Sequence, residues 1–279
     1  MIKKSYIILF LLGLTLASCV PEKRLARNFV ENTPNTSFLV LTPDIIFKES
    51  LKPIQDTTLE NISQRQKDSV RFMESEFIQY IPDSLFLDLY LPQFKKEVRK
   101  LGLNVYFNTP KESFFTDTNV NAYIFNIAQI QLQEFSEQYF DKEAFGYDMY
   151  FQEHILDGIH INTWVEFQKV NSSDQKPMVL FSELTAKDEV DGHFHQNQLS
   201  GEVQYTYKID SLDFKEVKQT IKNAGRIHAG YMFDFLMNQY IKAMMNEDGL
   251  KTKYYLHYNR EEDELESVYD QRFIIQKQD

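Results

Sequence analysis

Cysteine is all but absent: Cys19 is the only one in 279 residues. One thiol cannot close an intrachain disulfide, so the folded part must be held by its core alone. A dense basic cluster is missing as well. The chain carries 30 Lys and Arg against 41 Asp and Glu, a net charge of −11, and a field of that sign repels phosphate backbones. Nucleic acid is excluded as a partner on this reading. Nor does the net charge favour docking on anionic lipid. Internal repeats and low-complexity tracts are missing. So are GxSxG, P-loop, GxGxxG, HExxH and CxxC patterns, which removes every local indication of catalysis or cofactor binding. No catalytic residue and no cofactor is assigned.

What is present begins with an uncharged apolar run, Ser5 to Ser18, behind Lys3 and Lys4. A basic start, an apolar middle and small residues at the end make a secretory signal. The run is shorter than the roughly 20 residues a membrane-crossing helix needs, and nothing comparable follows it. Leu16-Ala17-Ser18-Cys19 resembles the lipobox of bacterial lipoproteins, with a large apolar residue three before the cysteine and two small ones beside it. The resemblance implies that Cys19 receives a diacylglyceryl group, that residues 1–18 are cut away, and that the new amine is acylated too. Two or three acyl chains, at about 0.8 kcal/mol per buried methylene, make such an anchor permanent. Losing Lys3 and Lys4 and no acid moves the net charge from −11 to −13.

The pattern divides the chain into residues 1–18 as lipoprotein signal peptide, 19–36 as lipidated N-terminus and flexible tether, and 37–279 as one globular domain. A composition with 43% hydrophobic residues, including 23 Phe and 16 Tyr, supplies enough apolar surface to offset the entropy of ordering. Residues 37–47 read as a buried strand that bends or ends at Pro43. Leu59, Ile62, Val70, Met73, Phe77 and Ile81 predict a helix stopped by Pro82. Another helix runs from Ser84 to Leu101, or begins only at Pro92. Residues 103–107 read as a short strand. From Asn121 a strict alternation puts Ala122, Ile124, Asn126, Ala128, Ile130 and Leu132 on one face. Strands at 158–170 and 177–185 are joined by a turn at 171–174, and another strand covers 203–209. Residues 211–246 predict a buried helix, broken or bent at Gly225 and Gly230. A strand, an acidic turn at 261–264 and a last strand close the chain. The fold class is α+β: a mostly antiparallel or mixed sheet packed against long helices in a single domain. This order is similar to that of periplasmic accessory lipoproteins of outer-membrane export systems.

For chemistry the best segment is Asp188 to His195. His193 and His195 would share a strand face and Asp191 could add an oxygen, a start for a zinc or nickel site. The competing reading is a solvated hairpin tip turning at Asp191-Gly192. It is preferred because no third distant ligand can be named, so no metal is assigned. His154 and His160 read as core or edge residues, and His228 and His257 as packing residues. Trp164 reads as core or rim, with a sugar-stacking platform as the alternative. Glu153 with Asp157, and Asp188 with Asp191, are the carboxylate pairs glycosidase work would need.

These observations point to a non-enzymatic envelope lipoprotein, held to its membrane by lipid, with an envelope protein partner and an accessory role in an outer-membrane assembly or transport machine. A surface glycan-binding protein or hydrolase is the alternative. Val20-Pro-Glu-Lys-Arg24 matches neither an acidic surface-export tag nor an Asp retention tag. In a Gram-negative host the expected place is therefore the periplasmic face of the outer membrane, with surface exposure as the alternative. Cys19→Ser is expected to leave unprocessed precursor or soluble protein. Mature protein that still fractionates with membranes after a carbonate wash would refute the lipobox reading.

Overall fold

A computed structural model describes residues 21–33, 36–53, 62–107, 114–115, 121–170, 176–269 and 273–276. The signal segment, Cys19 and the 171–174 turn lie outside the described residues. In chain order the elements are α1 (Pro21–Asn32), β1 (Thr36–Leu41), β2 (Phe47–Ser50), α2 (Gln64–Met73), a 3-10 turn (Ile78–Tyr80), α3 (Asp83–Lys100), β3 (Asn104–Phe107), β4 (Asn121–Phe145), β5 (Asp148–Lys169), β6 (Met178–Lys187), β7 (Glu189–Gln196), β8 (Val203–Asp210), α4 (Phe214–Glu247), β9 (Tyr255–Asn259), β10 (Glu264–Val268) and β11 (Ile274–Gln276). Among the described residues no helix is long and apolar enough to cross a membrane.

The main sheet is ordered β11-β6-β5-β4-β1-β3, with β2 also pairing β4. β1 and β2 run parallel to β4, and β1 parallel to β3, whereas β4–β5, β5–β6 and β6–β11 are antiparallel. The sheet is thus mixed and the fold α+β. The alternation read from Asn121 does not survive along β4. A bulge between Ile127 and Gln129 shifts the register, so the core face is Phe125 and Ile127 before it and Ile130 and Leu132 after it. One extra residue, exposed Ala128, reverses the parity of every side chain beyond.

Helices α3 and α4 cover that face. Phe86, Tyr90, Phe94 and Val98 recur every four residues along α3 and are fully buried. Their rings stack in a row, Phe86 on Tyr90 and Tyr90 on Phe94. This stripe explains why α3 starts at Asp83 and not at Pro92. Proline costs about 3 kcal/mol inside a helix, but Pro92 sits on the exposed side, where the hydrogen-bond gap faces water, and the packed face outweighs it. α4 is likewise one helix of 34 residues rather than two. Gly225 is not a break but a contact: a Cβ there would land on the Tyr90 carbonyl of α3.

Two further expectations are corrected. The helix read across 59–81 is the shorter α2, opened by a Ser63–Gln66 capping box, followed by a separate 3-10 turn, with Leu59 outside the described residues. The tether is largely a docked helix: α1 starts at Pro21, two residues after Cys19. Its Ala26 is fully buried and Phe29 nearly so, and Phe29 lies against Phe233 and Tyr240 of α4. Buried Glu22 accepts the Lys253 backbone N–H at 3.1 Å, and Arg27 pairs with Asp263. Glu22, Ala26, Phe29 and Thr33 form a single face at helical spacing.

The two α4 glycines should separate cleanly. Gly225→Ala is expected to destabilise by about 1–3 kcal/mol, because the backbones must part. Gly230→Ala, with nothing within 4 Å of the added carbon, should stabilise by up to about 1 kcal/mol. Chemical denaturation of both variants tests the assignment.

Candidate functional site

β2 pairs β4 only as far as Glu134, and β6 pairs β5 only from Gly158 onward. Beyond those points the β4–β5 hairpin leaves the sheet as an arm, with about 11 residues of β4, or roughly 35 Å. Gly146 at φ +66 and Tyr147 make its two-residue turn.

The root of the arm is a polar node. The fully buried Glu134 carboxylate accepts the backbone N–H groups of Glu76 (2.7 Å), Phe77 (2.9 Å) and Ile78 (3.2 Å). The Lys52 ammonium lies 3.1 Å from Glu134 and 2.8 Å from Asp157. Burial alone would depress the Lys52 pKa, but hydrogen bonds to Asp157 and Glu134 and their charges outweigh it and hold it above the usual lysine value. Asp157 also accepts from the Ser136 hydroxyl. Asp188 accepts the N–H of Asp157 (2.9 Å) and of Leu212 (2.7 Å), joining the arm to the start of α4.

One face of the arm is covered by the β7–β8 hairpin. Tyr205 fills the contact: its hydroxyl donates to Asp141 at 3.1 Å and accepts from His154 Nε2 at 3.1 Å, which fixes the His154 proton on that nitrogen. Burial, and then Asp141, push the Tyr205 pKa up to about 12. Phe194 lies tilted against both Tyr205 and Tyr150. Gly192 makes room for this, since any Cβ there would strike the Tyr205 ring. Asp191-Gly192 therefore lies inside β7, and the hairpin turns instead at residues 197–202, where Asn197 Oδ1 accepts the Leu199 and Ser200 N–H groups.

Among the described residues nothing covers the other face. It continues the core face of Leu132 and Glu134 through the pairs Gln138–Ile155, Phe140–Glu153, Lys142–Phe151 and Ala144–Met149. Phe140 is 54% exposed, Met149 52%, Phe151 64% and Ile155 65%. These residues were not singled out from the sequence. Met149, Phe151 and Ile155 alternate with Tyr150, Gln152 and His154, a period-two pattern with apolar groups on both faces, which conceals the face left open.

The residues that were singled out fall elsewhere. Asp191, His193 and His195 share the outer face of β7, all exposed, with the two imidazoles 6.1 Å apart. Among the described residues the one group of three clustered metal-type ligands is the exposed Glu262, Glu264 and Glu266 instead. His160 stacks on Phe135 and bonds Thr185, far along β5 from His154. His257 donates to Asp234 at 2.7 Å and Asp234 also takes the Tyr258 N–H, which fastens β9 to α4. Asp157 and Asp188 are occupied at the arm root. Trp164 lies on the sheet face away from the helices, beside Phe181, 5.0 Å between rings. A cavity of about 250 Å³ beside α4 has aromatic walls but no carboxylate; two open grooves, along Pro92 and between α1 and Asp263, have carboxylates but no aromatics. Acid–base work on a bound sugar needs both in one place.

No known family model matches this chain, and no curated protein does either.

His228 is the one strongly perturbed histidine among the described residues. Fully enclosed on α4, its Nδ1 lies 2.9 Å from the Tyr90 hydroxyl, and burial pushes its pKa down to about 3. It is neutral when folded. Below about pH 6.5 the unfolded chain gains a proton that the folded protein refuses, so stability falls from pH 6.5 toward pH 3 and is unaffected above it. Relative to His228→Gln, the wild type should lose roughly 1 kcal/mol per pH unit across that window. Parallel slopes of melting temperature against pH would refute this.

Proposed function

We propose that this protein is a membrane-anchored cell-envelope lipoprotein with a non-catalytic binding role, an accessory in an outer-membrane assembly or transport complex, and that the arm engages its protein partner. One observation carries the reading: a row of four large apolar side chains on a protruding hairpin has no described neighbour on its face, while a second hairpin packs on the opposite face through Tyr205 and Phe194. Leaving such a surface in water costs about 25 cal/mol per Å² of apolar area, and patches of this kind mark protein contacts. Lys142 and Glu153 sit among the apolar groups, the mixture expected of a surface that must also stay soluble when free. The lipobox supplies the anchor, and the absence of an acidic export tag supports the periplasmic face of the outer membrane.

A second reading, glycan binding, draws on Trp164. It is half-buried against Phe181 with Gln129 and Gln131 across the strand pair and Asn162 two residues away. An open sheet face of this kind suits stacking on a sugar more than hydrolysis.

A photo-crosslinking residue at Phe151 should capture one envelope protein in intact cells. The adduct should vanish when Ile155→Lys charges the same face, and a probe at exposed Met73 on α2 should not form it. Equal capture from both positions would refute the arm reading, and protein-free adducts confined to a probe at Trp164 would favour glycan.

A further inference from the structure

The first turn of α1 is tied to the fold by buried Glu22, and it begins two residues after Cys19. Two Cα steps of 3.8 Å put Pro21 within about 8 Å of Cys19. If Cys19 carries acyl chains, that reach is comparable to the thickness of one headgroup layer. The Glu22 carboxylate binds the Lys253 N–H at 3.1 Å, so the segment 250–254 lies at the same end. The side chains there are exposed Lys23 and Arg24 on α1, Lys242 on α4, and Lys251 and Lys253 on the returning chain. Leu250 and Tyr254 are each 47% exposed among them. Glu22, turned inward onto the Lys253 N–H, and exposed Glu247 and Asp248 are acids of this end, against five exposed cations; farther along α1 the groove that Lys23 and Arg24 share with Arg27 also carries Glu31, Asp263 and Glu264.

We infer that this end of the molecule is a bilayer-facing surface, which lies on the anionic headgroups of the membrane that holds the anchor. The inference rests on the lipid-anchor proposal. The cations meet lipid phosphates, and Leu250 and Tyr254 enter the interfacial layer, where leucine and tyrosine are both accommodated. α4 then sets the height of the arm. Its first turn is tied to the arm root through Asp188 and Leu212, and from Phe214 to Lys242 the helix rises about 42 Å at 1.5 Å per residue. The mid-helix residue Phe235 packs on Phe167, and Phe167 pairs with Phe125 near the beginning of β4. α4 therefore runs away from the arm toward the anchored end, and the arm root stands on the order of 40 Å from the headgroups.

The experiment uses full-chain lipidated protein taken from its membrane and reconstituted into vesicles of phosphatidylethanolamine with phosphatidylglycerol. With Cys19 acylated, Leu250→Cys and Leu199→Cys each offer one thiol for an environment-sensitive fluorophore. Leu199 is fully exposed in the β7–β8 loop. The label at 250 is expected to shift to the blue and to lose most of its quenching by aqueous iodide, while the label at 199 stays fully quenched. Combining Leu250→Cys with Lys23→Glu, Lys251→Glu and Lys253→Glu should restore quenching at 250. Protein that floats with the vesicles yet is quenched equally at 250 and 199 would overturn the membrane-facing surface and leave the anchor standing. Protein that fails to float, with Cys19 itself open to thiol labelling, would overturn the anchor and this inference with it.

Discussion

The arrangement depends on one buried charge. Glu134 is the last residue of β4 to be paired by β2, and its carboxylate is fully enclosed. An enclosed carboxylate without partners would be prohibitively costly, and here three backbone N–H groups and the Lys52 ammonium surround it. The partners come from two separate pieces of chain. The N–H groups open the 3-10 turn that leads into α3, Lys52 follows β2, and through Asp157 the same ammonium reaches the arm. Removing Glu134 would orphan three backbone donors at once and leave Lys52 with Asp157 alone of the two close carboxylates, so the point where sheet, helical layer and arm meet is fixed electrostatically and not by apolar packing alone.

Beyond that node the strands keep their period but lose their cover. The register that sends Leu132 and Ile161 into the core continues through Phe140, Phe151 and Ile155, where no described helix follows. Meanwhile the other face is closed with care. Gly192 is kept small under Tyr205, and Tyr205 in turn satisfies both His154 and Asp141. A sequence that builds one face to that standard and leaves its reverse apolar and open departs from the consistency expected across levels, and such departures concentrate where function imposes them.

The legible parts of the fold were those whose pattern is local. The α+β class, strand β8, the buried character of α4 and the C-terminal hairpin follow from periodicity and turn chemistry. The rest depended on partners distant in sequence. The bulge at Ala128 can be recognised only because Phe125 and Ile127 are buried with Ile130 and Leu132, which requires knowing where the helices lie. Pro92 and Gly225 read as breakers, yet α3 and α4 run through them unbroken, packed on each other. Asp191-Gly192 read as a turn because glycine usually supplies φ, whereas here it supplies space for a ring. The candidate site was the least legible part, since an exposed apolar strand face and a buried one look the same in sequence.

The α1 helix shows why net charge was a poor guide to what the chain can lie against. With Lys23, Arg24 and Arg27 in its first two turns it reads as a solvated linker, but Glu22, Ala26, Phe29 and Thr33 form a buried stripe that only α4 and the 253 backbone complete. The net −11 does not describe every part of the surface: exposed Lys23, Arg24, Lys251 and Lys253 gather where Glu22 meets the Lys253 backbone. Coulomb attraction to a surface is felt within about 8–10 Å at physiological salt, so the local end decides and the distant acids are screened. A flexible tether of 18 residues would let the domain tumble through a span of ~20–25 Å and point its arm anywhere. On the proposed lipid anchor, a helix docked within two residues of Cys19 removes that freedom, and a lipid that would merely retain the protein then also orients it.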